Sequence, residues 1–481
     1  MKKYISTRND SIQTNTFEAI LKGLADDGGL FVPTSINKLD NLYDLKDLSY
    51  IDLAFKVISN IFDDVDPKVL YECIEGAYLN NFTSKDVTPL VQKGNYYFLE
   101  LYHGPTSAFK DVALTFLPRI LKKASDSISD KPVVILTATS GDTGKAALEG
   151  FKDVEGVNIK VLYPHNMVSK IQERQMSTTG GNNTEVLAVN GNFDDCQAMV
   201  KNILENYHFD NINLSSANSI NIARLVPQIV YYFKAYLDLY KNNQINKDEK
   251  IDFIVPTGNF GDILAGYIAK LMGLPVNKLV CASNINNVLT DFINTGTYNS
   301  NRELYNTISP SIDILVSSNL ERLLYLKIKD TNKVKELMTS LKNNKEYKVD
   351  ENILKLIQDD FVGICATEIE AREVIKEYYD NYNYLIDTHT AMALACAKKY
   401  ESSYKQVILS TASPYKFSKD VYYSLTGVTL EDNLDCMDKL HELTKVEVPT
   451  NLLKLKDLPI RFKEVINKDD YELLTSKLKE Y

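Results

Sequence analysis

A chain of 481 residues with 44% apolar and 25% charged residues has the balance of a folded protein, not a disordered one, and is too long for one simple core. Its net charge of −10 is spread along the length, with no basic run interleaved with aromatics, which argues against nucleic-acid binding. No segment approaches the roughly 18 continuous apolar residues of a membrane helix. The opening stretch MKKYISTRNDSIQTN lacks the apolar core of a secretory signal, the six cysteines form no CxxC pair, and the five histidines form no HExxH. Reduced thiols, no metal site and a cytoplasmic chain are therefore expected.

In chain order, residues 1–85 are expected to form a mainly helical N-terminal domain, with a turn at ADDGGLFVP that Pro33 closes. Residues 86–425 change character. KPVVILTATSGDTGKAALEGF is a β-rich run, a Ser/Gly/Thr turn and a helical stretch. NIKVLYP with VSKIQERQM, and TEVLAV with DDCQAMVKNIL, repeat that order; so does IDFIVPTGNFGDILAGYIAKLMG, before the strand KLVCAS. Short β-branched runs alternating with helices predict an α/β region of two open parallel-sheet lobes with helices on both faces. YKQVILSTASPYKF adds one more strand and a small-residue turn, and residues 426–481 are expected to dock on the catalytic region as an extension.

Ligands of an open parallel sheet collect at the carboxyl ends of its strands. Three loops stand there: TATSGDTG (137–144), VPTGNFGD (255–262) and LSTASP (409–414). In the second, Gly258 and Gly261 permit close backbone approach, and the helix that follows opens with unpaired N–H groups, a ready anion site. An isolated G-x-x-G also occurs in plain strand-to-helix turns, and this one is neither a Walker motif nor the dinucleotide fingerprint. The first loop offers Thr139, Ser140 and Thr143 hydroxyls beside a helix start, a set suited to a carboxylate. Its alternative is an N-cap, with Ser140 or Asp142 only capping the helix. SSANSINIAR (215–224) brings Asn218, Ser219 and Arg224 for a second anion, or else is an amide-rich loop with Arg224 in a surface pair. In IDTHTAMALACA, Asp387 and His389 read first as capping groups able to border a pocket.

YHGPTSAFKD (102–111) sets Lys110 after small residues and Phe109. A surface lysine at a helix start is the ordinary reading. Beside two anion sites and a carboxylate cradle it reads instead as an amine for covalent catalysis. It must be neutral to attack an aldehyde, and desolvation in a tight apolar loop lowers its pKa. Pyridoxal phosphate needs such a lysine, a phosphate cup and a partner for its ring nitrogen.

Five loops, 102–111, 137–144, 215–224, 255–262 and 409–417, resemble in this order the threonine synthase family of fold-type II pyridoxal-phosphate enzymes. HGPTSAFKD is similar to the family's cofactor-lysine loop, TSGDTG to its substrate-carboxylate loop, PTGNFGD to its phosphate cup and TASPYKF to its pyridine-side turn. ADDGGLFVP resembles its N-terminal domain.

The resemblance implies pyridoxal 5'-phosphate as cofactor, bonded to Lys110, which shuttles protons once substrate releases it. Gly258, Asn259, Phe260, Gly261 and Asp262 would hold the cofactor phosphate, Thr411 would face the pyridine nitrogen, and Asp142 would meet the ring hydroxyl. Thr139, Ser140 and Thr143 would bind the substrate α-carboxylate, and Asn218, Ser219 and Arg224 its phosphate. The implied substrate is O-phospho-L-homoserine, converted with water to L-threonine and phosphate. Two alternatives stand beside it: another pyridoxal-phosphate lyase (a dehydratase or phospho-amino-acid lyase) and a non-catalytic binding homologue. The expected chain is a monomer or homodimer acting on a small molecule, with no nucleic-acid or membrane partner.

Overall fold

The computed structural model of the chain describes residues 3–479. Its first stretch combines helices with a sheet that the sequence does not announce. Strands β1 (Tyr4–Ser6), β2 (Asn9–Thr14) and β3 (Phe31–Pro33) form a small antiparallel sheet in the order β2-β1-β3. Strands this short show no readable alternation, so pairing, not local pattern, creates them. Helices Thr16–Lys22, Tyr50–Ile61 and Pro67–Tyr78 supply most of the segment's regular structure. The last two start at capped ends: the Ser49 hydroxyl accepts from Asp52 N (3.1 Å), and Asp66 caps with Pro67 in the first turn.

Two open sheets follow. One contains β4 (Leu90–Lys93), β5 (Tyr96–Glu100), β10 (Ile251–Pro256), β11 (Val276–Ser283), β14 (Phe361–Cys365) and β15 (Lys405–Ser410), ordered β14-β11-β10-β15-β5-β4. Its strands are parallel except β4, which returns antiparallel along β5 at the edge. The other contains β6 (Val133–Ala138), β7 (Val157–Pro164), β8 (Thr184–Asn190), β9 (Asn213–Ser215) and β16 (Val465–Asn467), ordered β16-β8-β7-β6-β9 and parallel throughout. Every residue of β6, VVILTA, is buried, as a parallel strand covered by helices on both faces requires. A two-stranded ribbon, β12 (Thr297–Asn299) with β13 (Glu346–Lys348), stands apart from both sheets.

The tail is structural. Strand β16 extends the smaller sheet along β8, and Ile466, Leu474 and Leu478 sink into the core on its outer side. Lys477 Nζ fixes the last helix, Tyr471–Leu478, by pairing with Glu185 (2.8 Å) and Glu464 (3.0 Å). Among the described residues no helix is long and apolar enough to cross a membrane. The topology sets the site directly: the loops after β5, β10 and β15 leave neighbouring parallel strands of one sheet, and those after β6 and β9 leave neighbours of the other.

Candidate active site

The lysine loop is closed by its own aspartate. Thr106 donates to Asp111 from its backbone N (2.8 Å) and its hydroxyl (2.6 Å), so the chain turns back just before helix Asp111–Leu114. Gly104 packs so closely on Asp111 that a Cβ would lie 2.4 Å from the aspartate Cβ. The turn after β15 stitches the loop from the other side. Phe109 N donates to Thr411 O (2.8 Å), and Ser413 N donates to Ser107 O (3.1 Å). Asn451 of the tail adds a latch through its Nδ2, which donates to Pro105 O (2.8 Å). Lys110 is thereby held buried, its Nζ 4.9 Å from the Phe109 ring centroid and 3.8 Å from Asp142 Oδ2. Burial lowers its pKa to about 8, with Lys416 and Arg224 pushing the same way against Asp142 and Asp111.

Lys110 opens on a cleft of about 870 Å³ between the two sheets. Ser140, Asp142 and Thr143 line one wall, Asn218, Ser219 and Arg224 another, and the backbone from Gly258 to Asp262 the floor, with Thr411 beside the lysine. Thr139 is the one residue of the predicted set that does not line it. Its buried hydroxyl instead accepts from Gly141 N (2.9 Å) and Gly144 N (2.8 Å). The threonine thus caps helix Asp142–Phe151 from below, the role the sequence offered to Ser140 or Asp142. Asn218 ties the two walls together, donating to Ala138 O (2.7 Å) and accepting from Ala138 N (3.1 Å).

The floor is a helix start of the kind that can receive an anion. Phe260 takes a left-handed conformation (φ 61°) immediately before helix Gly261–Leu271, whose first residues, Gly261 and Asp262, line the cavity. At Gly258 a Cβ would lie 2.2 Å from Ser311 O, so the wall there is pure backbone. Asn259 Oδ1 and Arg224 Nε are buried with no hydrogen-bond partner, which leaves polar groups for a ligand to satisfy. Asp262 sits in the helix's first turn, where burial pushes its carboxyl up to about 6. Its Oδ1 accepts from the hydroxyls of Tyr231 (2.5 Å) and Tyr232 (2.8 Å), which brace the cup from helix Ile222–Lys241.

These residues fit pyridoxal phosphate: a poised lysine, a backbone cup at a helix start and the Thr411 hydroxyl share one cavity. Gly258→Ala forces a side chain onto a carbonyl and is expected to cost ~1–3 kcal/mol. Fluorescence titration of the cofactor should show binding weakened by at least about tenfold.

Comparisons with known proteins agree with this geometry. A family model described as pyridoxal-phosphate dependent enzyme matches residues 84–412. Models for the threonine synthase N terminus and C-terminal region match residues 3–78 and 390–476. Threonine synthase of Saccharomyces cerevisiae is 37% identical across 99% of this chain and 97% of its own length. That of Pseudomonas aeruginosa is 40% identical across 87% of this chain and 89% of its own. The chain belongs to the threonine synthase family. A solved structure of pyridoxal-phosphate-bound threonine synthase from Brucella melitensis superposes with a TM-score of 0.88 at 35% identity, covering 99% of each chain. As a member of this family the protein is a fold-type II enzyme that depends on pyridoxal phosphate.

Several residues of this threonine synthase fold that build the site carry no sequence signal of their own. Lys416, within TASPYKF, is completely buried and donates to Asp142 Oδ1 (2.7 Å) and Thr106 O (3.1 Å). Gln172 Nε2 reaches the same carboxylate at 2.9 Å. Together with Lys110, Lys416 holds Asp142 well below the usual carboxylate range, against the upward push of burial. Asp387 caps helix Thr388–Lys399 as read from sequence, and also accepts from His389 Nδ1 (3.0 Å). His389 Nε2, on the cavity wall, accepts from Ser311 N (3.1 Å), which fixes the ring's tautomer and the segment facing Gly258. Arg322 is buried behind the cup and donates to Phe31 O (2.9 Å) and Ile220 O (2.5 Å), tying the N-terminal sheet to the 218–221 loop.

Proposed function

We propose that this enzyme converts O-phospho-L-homoserine and water into L-threonine and phosphate, working in the cytoplasm as a monomer or homodimer. The observation that carries the reading is Arg224. Its guanidinium is buried on the cavity wall, Nη1 donates to Ala217 O (2.5 Å), and Nε has no partner. Burial brings its pKa down to about 10, with only Tyr231 opposing. A buried cation without a carboxylate is costly, and the helix-start cup already accounts for the cofactor phosphate. A substrate with its own phosphate gives Arg224 a partner; serine or threonine as dehydratase substrates would leave it unpaired.

Bound pyridoxal phosphate supplies the electron sink. Its phosphate is assigned to the loop from Gly258 through Asn259, Phe260 and Gly261 to Asp262, its pyridine nitrogen to Thr411 and its ring hydroxyl to Asp142. Ser140 and Thr143 bind the substrate carboxylate on the turn that Thr139 braces. Lys110 Nζ removes the proton from Cα, serves the second proton loss at Cβ, returns a proton at Cγ and, once water has added at Cβ, returns one to Cα. Arg224, Asn218 and Ser219 take up the charge on phosphate as the Cγ–O bond breaks, and water adds at Cβ. Each charge-assisted hydrogen bond there contributes about 1.5–3 kcal/mol. Incubation with O-phospho-L-homoserine should release threonine and phosphate in equal amounts. Release of 2-oxobutyrate in place of threonine would reassign the enzyme as a phospholyase.

A further inference from the structure

Asp142 faces two buried ammonium groups, and the geometry divides them unequally. Lys416 Nζ lies 2.7 Å from Asp142 Oδ1 and has a second acceptor in Thr106 O at 3.1 Å. Lys110 Nζ stands 3.8 Å from the other oxygen, and beside it the Phe109 ring offers no lone pair. Lys416 is fully buried, and both Lys110 and Asp142 are nearly so. A single carboxylate in such a setting stabilises one close ammonium well and a second poorly, because each charge must recover its own lost hydration.

We propose that Lys416 is a positioning residue which claims the Asp142 charge and so leaves Lys110 as the amine that loses its proton. The inference rests on Lys110 being the cofactor-bonding lysine, as proposed above, and assigns that lysine's readiness to a partner 306 positions further along the chain.

Other groups around the lysine do not perform this task. Arg224, from helix Ile222–Lys241, repels a charged Lys110 but does not touch Asp142 among the described contacts. Asp111 is turned onto Thr106, and Asp262 is held by Tyr231 and Tyr232. Gln172 donates to Asp142 without adding charge. Lys416 alone among them both neutralises the carboxylate and repels the second ammonium. Without it, Asp142 becomes an undivided partner for Lys110 and holds the proton there.

The test is the pH dependence of Lys110 acetylation by acetic anhydride, read by peptide mapping on the full-length chain freed of cofactor. The wild-type midpoint is expected at about 8. Lys416→Met should raise it by at least about one unit, equivalent to roughly tenfold slower labelling below the midpoint. Lys416→Arg, which keeps the charge, should return it toward the wild-type value. An unchanged midpoint in a folded Lys416→Met chain overturns the proposal. If that variant does not fold, Asp142→Asn serves: removing the shared carboxylate should lower the Lys110 midpoint, and an unchanged value again overturns it. Borohydride capture of pyridoxal phosphate on wild-type Lys110, mapped separately, distinguishes failure of this inference from failure of the site assignment.

Discussion

Lys110→Ala is expected to reduce threonine formation from O-phospho-L-homoserine by at least ~10³-fold, the scale set by losing the group proposed both to move protons and to hold the cofactor. Borohydride should then trap no pyridoxal phosphate on the chain. The fold should survive, because Lys110 opposes folding at neutral pH: its pKa of about 8 lies below the ordinary 10.5. With the folded-state pKa depressed, the penalty of burying the charged amine is fully present below about 8. It diminishes as pH rises from there toward 10.5. At pH 7 the alanine variant should therefore melt no lower than wild type, while Asp142 keeps Lys416 as its partner. A variant that retains activity would remove Lys110 from the chemistry.

Arg224→Met is expected to produce the second largest effect, and a different one. Cofactor capture on Lys110 should persist, because the cup from Gly258 to Asp262 is built without Arg224. Activity toward O-phospho-L-homoserine should fall on the order of 10²-fold or more in kcat/KM, from lost charge-assisted bonds of about 1.5–3 kcal/mol each. Arg224→Lys should recover little, since one ammonium cannot reproduce the guanidinium fork. Only Ala217 O loses a described hydrogen-bond partner, so thermal melting should change little. A variant with wild-type kcat/KM would dissociate Arg224 from the substrate phosphate and favour a substrate with a single anionic end.

The parts of the site written in contiguous residues are legible in sequence. Apolar β-branched runs mark β6 and β10, and the Gly/Ser/Thr turns that follow mark where a parallel sheet meets its ligands. The cavity accordingly gathers Lys110, Ser140, Asp142, Thr143, Asn218, Ser219, Arg224, the 258–262 loop and Thr411. Thr139 shows the limit of such reading. Its residue type suits either a ligand or a cap, and two backbone N–H groups take its oxygen. Lys416 shows a deeper limit. Nothing within PYKF distinguishes a buried cation from a surface one; its meaning comes from Asp142 and Thr106, each more than 270 positions away. The same holds for Arg322 beneath the 218–221 loop and for Asn451 latching the lysine loop from the tail. Strands β1, β3 and β16 are each three residues long, and a period of two cannot be read from so few side chains. Tertiary pairing creates them, and pairing is the information a linear pattern carries least.

The measurement that tests the account most directly is the fate of solvent oxygen during turnover of O-phospho-L-homoserine in 18O-labelled water. Phosphate departure by cleavage of the Cγ–O bond, followed by addition of water at Cβ, places one labelled oxygen in the threonine hydroxyl and none in the phosphate released. Label in the phosphate, or phosphate release without labelled threonine, would contradict the assignment of this cavity to threonine synthesis.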